Sequence, residues 1–154
     1  MHSTRVTRIL PYTPDEVLAL VGDVENYPKF LPWVSAVRTW NRTPQKDGVS
    51  SVDAEAKVGF AFIREIFATR VRMDALGHVI DVSLLYGPFK RLHNRWSISQ
   101  QDGGARIDFE IEFEFKSRLL DAILAANLQR AAERLIACFE ARARALYGAP
   151  AAAG

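Results

Sequence analysis

Between residues 105 and 115, ARIDFEIEFEF, apolar and charged side chains alternate. Ile107, Phe109, Ile111, Phe113 and Phe115 fall on one side, and Asp108, Glu110, Glu112 and Glu114 on the other. A repeat of two belongs to a β-strand with one buried and one wet face, the habit of antiparallel sheets. The same repeat runs through 52–58, where Val52, Ala54, Ala56 and Val58 oppose Asp53, Glu55 and Lys57. It recurs in 65–73, with Phe67, Thr69, Val71 and Met73 set against Arg70 and Arg72. In 91–99 it puts Leu92, Asn94, Trp96 and Ile98 together. HVIDVSLL (78–85) and STRVTRI (3–9) read as strands too, although Arg8 leaves the facing of the latter open. Turn signals separate these segments: Lys46-Asp47-Gly48, Leu76-Gly77, Gly87-Pro88 and Asp102-Gly103-Gly104.

Two stretches have helical spacing instead. In TPDEVLALVGD, Thr13 can cap, Pro14 takes the first helical position and Glu16 completes a capping box, with Val17, Leu18 and Val21 as the apolar side. From Ser117 to Tyr147 there is neither Gly nor Pro, and Ser117 and Gly148 suit the two ends. Its expected apolar stripe is Leu120, Ile123, Leu124, Leu128, Ala131, Leu135, Cys138, Phe139 and Leu146. One helix of that extent is about 45 Å long, enough to cross a seven-stranded sheet roughly 30 Å wide. The order is strand, short helices, six strands, long helix. The sheet has one apolar face and the helix one apolar stripe, so each buries against the other. The expected fold is α+β: a curved antiparallel sheet wrapped round the C-terminal helix. One domain is expected over 1–148, with 149–154 as a disordered tail. Small inward residues, Ala54, Ala56, Gly59 and Thr69, are expected to leave volume unfilled.

The segment NYPKFLPWV (26–34) fits neither repeat. It places Tyr27, Phe30 and Trp33 beside two prolines. Such a stiff aromatic loop either covers something or plugs the core itself.

Composition changes this picture little. The net charge is +2, from 20 Lys and Arg against 18 Asp and Glu, weak support for a nucleic-acid protein and none for DNA. A single cysteine, Cys138, excludes an internal disulfide and a Cys-based metal site, and suits a reducing compartment. The N-terminal residues lack the apolar core of a signal peptide, and the longest apolar run, 58–63, is too short to span a bilayer.

Candidate chemistry is sparse. His2, His78 and His93 have no metal-ligand spacing, and no glycine-rich phosphate loop occurs. No catalytic or metal-binding residue is assigned. The acidic ladder of Asp108–Glu114 is expected to pair with basic residues on neighbouring strands, such as Arg5 or Arg95. Thr39, Glu65, Thr69 and Asn94 fall nominally inward, with Asn127 close to the helix stripe. Each such polar group needs a partner, either in the protein or in a ligand.

DVENYPKFLPWVSAV (23–37), GPFKRLHNRW (87–96), IDFEIEFEFKSRLLDAIL (107–124) and FEARARALYG (139–148) carry a family resemblance. In this order the chain resembles the helix-grip START and polyketide-cyclase-like superfamily, and within it the coenzyme-Q-binding START-like proteins. That branch includes bacterial proteins described as ribosome-association toxins. The resemblance implies an apolar tunnel for ubiquinone or a similar lipid, with no covalently bound cofactor and a non-catalytic role supporting respiration. Tyr27, Phe30, Leu31 and Trp33 would form a lid. Phe67, Thr69, Val71, Phe89, Asn94, Trp96, Phe109, Phe113, Leu124 and Leu128 would line the tunnel. The long helix carries Arg118, Arg130, Arg134, Arg142 and Arg144 against Asp121, Glu133 and Glu140. This outer face, with Lys90 and Arg91, reads either as a solvated face or as a transient contact with an anionic membrane surface when a lipid is exchanged. The lipid-binding reading expects a cytoplasmic protein, peripheral at the inner membrane. Two rivals stand beside it: a ribosome-associated interaction protein, and an aromatic polyketide cyclase using Glu65 as its inward carboxylate.

Overall fold

A computed structural model describes residues 1–60 and 63–148. The expected disordered tail, 149–154, lies outside the described residues. A nine-residue strand β1 (His2–Leu10) leads into α1 (Pro14–Gly22) and a 3₁₀ helix (Val24–Lys29). Six strands follow: β2 (Val34–Trp40), β3 (Val49–Phe60), β4 (Ile63–Asp74), β5 (Val79–Tyr86), β6 (Phe89–Gln101) and β7 (Gly104–Phe115). Two helices, α2 (Arg118–Ala126) and α3 (Leu128–Tyr147), close the chain. The sheet order is β1-β7-β6-β5-β4-β3-β2, every pair antiparallel. The α+β helix-grip architecture read from the sequence is the observed one.

Local chemistry sets the boundaries. Thr13 Oγ1 accepts from the Glu16 amide at 3.1 Å, and the Glu16 carboxylate accepts from the Thr13 amide at 2.9 Å, a reciprocal cap for α1. At Asp102-Gly103 both φ angles are positive (50° and 76°), the two-residue turn whose twist suits the β6–β7 hairpin.

The C-terminal stretch differs from the single helix expected. Asn127 (φ −120°, ψ 12°) leaves helical geometry and divides it into α2 and α3. Its side-chain amide donates to the Ile123 carbonyl at 2.9 Å, a local bond that competes with the helical ladder. The break resets the apolar stripe. Ala132, Ile136, Phe139 and Ala143 are the buried residues of α3, while Ala131 and Leu146 are exposed and Cys138 is half-buried.

On the outer face the acidic ladder is paired. Arg5 bonds Glu110, Lys90 lies 3.4 Å from Glu114, and Asp108 accepts from Thr7 at 2.7 Å and Arg106 at 3.1 Å. Arg95 faces Asp81 at 2.9 Å rather than the ladder. Asp53 belongs to this face yet is buried, because Arg70 (2.9 Å) and Asn41 (3.1 Å) cover it. Hydrogen bonding to Arg70 holds its carboxyl below the usual carboxylate range.

Candidate functional site

The apolar face of the sheet carries two groups of side chains that differ in closure. The first lies between the sheet, α1 and α3. Trp96 packs on Phe109 (centroids 4.5 Å apart) and on Phe139 (4.9 Å). Phe139 is 1% exposed and receives the edges of Tyr27 (5.3 Å) and Phe30 (5.1 Å). Val6, Leu10, Val17, Val21, Ile80, Ile107 and Ile136 complete a dense core. The Tyr27 hydroxyl donates to the Val21 carbonyl, and burial, aided by Asp23, pushes its pKa up.

The second group lies toward the other end of the sheet, beneath α2. Leu92, Phe113 and Phe115 form its buried floor. Phe67, Leu84, Phe89, Ile111, Leu120, Leu124 and Leu128 pack around them but stay partly exposed. Phe89 stacks on Phe115 at 4.3 Å and meets Phe67 edge-on at 5.5 Å. Helix α2 buries none of its residues fully, although Leu119, Leu120, Ile123 and Leu124 give it an apolar side. The result is a partly exposed apolar cluster, a candidate chamber, roofed by a helix that buries none of its residues fully.

Two links hold that roof. Asp121 Oδ1 accepts from the Phe115 amide at 3.0 Å, and its Oδ2 is 2.6 Å from His2 Nε2. The bond to His2, then that to Phe115, keeps the Asp121 carboxyl below its usual range.

Asn94 stands where the two groups meet, on β6 between Leu92 and Trp96, opposite Val82 on β5 and Ile111 on β7. Its Oδ1 is buried and has no hydrogen-bond partner among the described residues. Buried polar atoms are nearly always paired, so this one calls for an explanation.

The fourteen expected ligand-lining residues therefore divide. Phe67, Phe89, Phe113, Leu124 and Leu128 come together in the chamber. Tyr27, Phe30, Leu31, Trp33, Val71, Trp96 and Phe109 join the dense group instead, with Leu31 and Val71 buried and Trp33 half-buried. Thr69 is buried opposite Ala54 on β3, and Asn94 lies at the junction. Ala54 and Thr69, expected beside unfilled volume, are thus covered. Of the other inward polar residues, Thr39 donates to Glu25 at 2.5 Å, and Asn127 is exposed at the helix break. Glu65 is half-buried opposite Val58 and has no ion-pair partner among the described residues.

The expected set omitted Leu84, Leu92, Ile111, Phe115 and Leu120, which belong to the chamber. The inward phase of β6 and β7 already marked Leu92, Ile111 and Phe115, and helical spacing marked Leu120. Leu84 shares the phase of Ile80 and Val82 on β5 and pairs with the inward Thr69, so alternation along HVIDVSLL marked it as well. Among the described residues no group of three or more His, Cys, Asp or Glu is placed to hold a metal, and no helix is long and apolar enough to cross a membrane.

A curved seven-stranded antiparallel sheet gripping C-terminal helices is the START-like architecture. The chain belongs to the polyketide cyclase / dehydrase and lipid transport family, whose model matches residues 10–140. It is 32% identical over 147 residues to the ribosome association toxin RatA of Rickettsia prowazekii, covering 94% of this chain and 97% of that one. It is 34% identical over 118 residues to the mitochondrial coenzyme Q-binding protein coq10 of Schizosaccharomyces pombe, covering 75% of this chain and 70% of that one. The 18 kDa protein CC1736 of Caulobacter crescentus has a solution structure with 61% identity and a TM-score of 0.81, covering 97% of this chain and all of the other.

Proposed function

We propose that the protein binds an isoprenoid quinone of the ubiquinone kind, or a similar lipid, in the chamber under α2 and carries it without chemical change. The observation that carries this reading is the partly exposed apolar cluster under α2, with the unpaired Asn94 Oδ1 at its edge as an acceptor for a hydroxyl of the reduced quinol. Apolar side chains left half-exposed gain by covering a tail, each 100 Å² of buried apolar surface contributing about 2.5 kcal/mol. The polar carboxamide orients the head, as a few convergent polar groups do in ligand sites. Phe67, Phe89, Phe113, Leu124 and Leu128 hold the tail. Tyr27, Phe30 and Leu31 stop the far end by packing on Phe139, with Trp33 at the rim, so the aromatic segment serves as an end wall. The coenzyme Q-binding relative supports a quinone as the ligand class. The reading places the protein in the cytoplasm at the inner membrane and gives Glu65 no chemical role.

Organic extraction of the purified protein followed by mass spectrometry tests this. Near-stoichiometric recovery of a quinone, together with quenching of the emission of Trp33, Trp40 or Trp96 on adding ubiquinone to stripped protein, is expected. Recovery of no lipid and an unchanged tryptophan signal would sink it.

A second reading, association with ribosomal particles, has one observation in its favour. On α3 the Glu133 carboxylate lies on the flank toward β1, where Gln129 bonds both Thr4 and Glu133, and Glu140 pairs with Arg144 at 4.0 Å. Arg134 and Arg142 lie on the other flank, over the Trp33 ring (5.3 Å) and the Phe30 ring (5.5 Å). With Arg130 they make a basic strip edged by aromatics, suited to phosphate backbone, and relatives bear the name ribosome association toxin. Co-sedimentation with ribosomes that weakens steeply with salt and is lost in Arg130→Glu/Arg134→Glu is expected. Salt-independent or absent co-sedimentation removes this reading.

A further inference from the structure

The inner face of the sheet holds few polar side chains, and two of them are acceptors without a partner. Asn94 Oδ1 is buried and unpaired among the described residues. Glu65 is half-buried, two residues before Phe67 on the same side of β4, and has neither a hydrogen-bond nor an ion-pair partner among the described residues. An ionised carboxylate only accepts. Donors are scarce by contrast. Arg70 on β4 and Arg95 on β6 have the opposite phase and pair on the outer face with Asp53 and Asp81, each at 2.9 Å. His2, whose ring packs on Phe113 at 5.4 Å, is engaged by Asp121 at 2.6 Å. The Thr69 hydroxyl, opposite Leu84, can donate or accept and so favours neither kind of ligand.

The two redox forms of a quinone differ in what they offer such a face. The oxidised form presents ring carbonyls, which accept only. The reduced form, the quinol, presents hydroxyls in the same places, and these donate. Asn94 Oδ1 is closed to solvent on β6, with Val82 and Ile111 across from it on β5 and β7. The soft terminal torsion of the side chain lets the oxygen turn toward a ligand head. Its bond to a hydroxyl is gained outright, because the unliganded protein leaves the atom unpaired. The amide nitrogen of the same side chain is not sealed in this way. A bond from it to a quinone carbonyl only replaces one to water, so it discriminates weakly.

We propose that Asn94 makes the site selective for redox state, so that the chamber takes the reduced quinol in preference to the oxidised quinone. The inference rests on the chamber holding a ligand of the quinone kind and adds which form it holds. One hydrogen bond of this sort gives a preference of about tenfold. Selective binding of the reduced form raises the midpoint potential of the bound two-electron couple by about 30 mV for each tenfold. A carrier with this preference loads after a quinone-reducing step and unloads before a quinol-oxidising one.

Anaerobic equilibrium dialysis against decylubiquinol, decylubiquinone and the dimethyl ether of the quinol, each quantified by chromatography, tests the selectivity. The ether keeps the ring and tail of the quinol but has no donor. The wild-type chain is expected to bind the quinol about tenfold more tightly than the quinone, and the ether no more tightly than the quinone. In Asn94→Leu the ratio of quinol to quinone affinity should fall to about one. Equal affinity of the wild type for the two forms overturns the selectivity and leaves the quinone reading standing. So does a preference that survives in Asn94→Leu, or ether binding as tight as that of the quinol. Tighter binding of the oxidised form also overturns the proposal, and would mean that the carboxamide is turned end for end, with its nitrogen in the sealed position. Binding of none of the three overturns both the selectivity and the quinone reading.

Discussion

The stripe Ile107, Phe109, Ile111, Phe113, Phe115 runs along one strand with one alternation, yet its two ends have different fates. Ile107 and Phe109 are sealed among Trp96, Phe139 and Ile136. Phe113 and Phe115 floor a group in which Phe67, Phe89, Leu124 and Leu128 stay partly exposed, and Ile111 touches both groups. The covering helices make the difference. Helix α3 presents Ala132, Ile136, Phe139 and Ala143, all buried, whereas α2 buries none of its residues fully. Dense packing stabilises the fold, and loose packing leaves contacts for something else to make.

The comparison predicts a separation of stability from binding. The largest effect belongs to Phe139→Ala, which opens a cavity where four aromatic rings converge. A loss of about 3–5 kcal/mol in urea unfolding is expected, against about 1 kcal/mol or less for the half-buried Leu124→Ala. Equal losses for the two variants would mean that the halves do not differ. Next comes Val71→Trp, which overpacks the dense group and should cost about 1–3 kcal/mol. Leu84→Trp, in the chamber, should leave the unfolding midpoint close to wild type and abolish quinone quenching. If Val71→Trp were the stable variant and Leu84→Trp the unstable one, the chamber would be at the wrong end.

Smaller changes sharpen the picture. Asn94→Leu removes a buried acceptor without a partner, so stability should hold or rise slightly. Affinity for the reduced quinol, whose hydroxyl can donate to Asn94 Oδ1, should fall about tenfold with the loss of one hydrogen bond. Unchanged affinity would mean that the head lies elsewhere. The subtlest effect concerns the roof. The Asp121 carboxyl is held below its usual range by His2 and the Phe115 amide. A depressed folded pKa contributes stability above the unfolded value of about 4, and that contribution is lost as pH falls through the folded pKa. Amide exchange in α2 should therefore quicken on acidification before that in α3, and Asp121→Asn should show the same loosening at neutral pH. Simultaneous release of both helices would show that they move as one.

Much of this was legible in the sequence, for local reasons. The inward phase of Phe67, Thr69 and Val71 follows from alternation along the strand, as does that of Asn94 and Trp96. The Thr13–Glu16 cap and the Asp102-Gly103 turn are written within four residues. What could not be read was which inward residues would meet which helix. Trp33 and Phe113 are both plausible ligand contacts by composition. Trp33 rests under Arg134 on α3, while Phe113 lies under the α2 end, because of where the helices cross the sheet.

Residue type and spacing alone thus determined the facings of the alternating strands, the capped helix and the tight turns, since each depends on chain geometry within a few residues. The START-like class was legible instead as a resemblance carried by four motifs spread along the chain. The break at Asn127, the division of one phenylalanine stripe into a sealed part and an open part, and the burial of Asp53 beneath Arg70 were decided only on folding. In each case the outcome depends on competition between a local preference and partners brought from distant parts of the chain, which no short window of sequence contains.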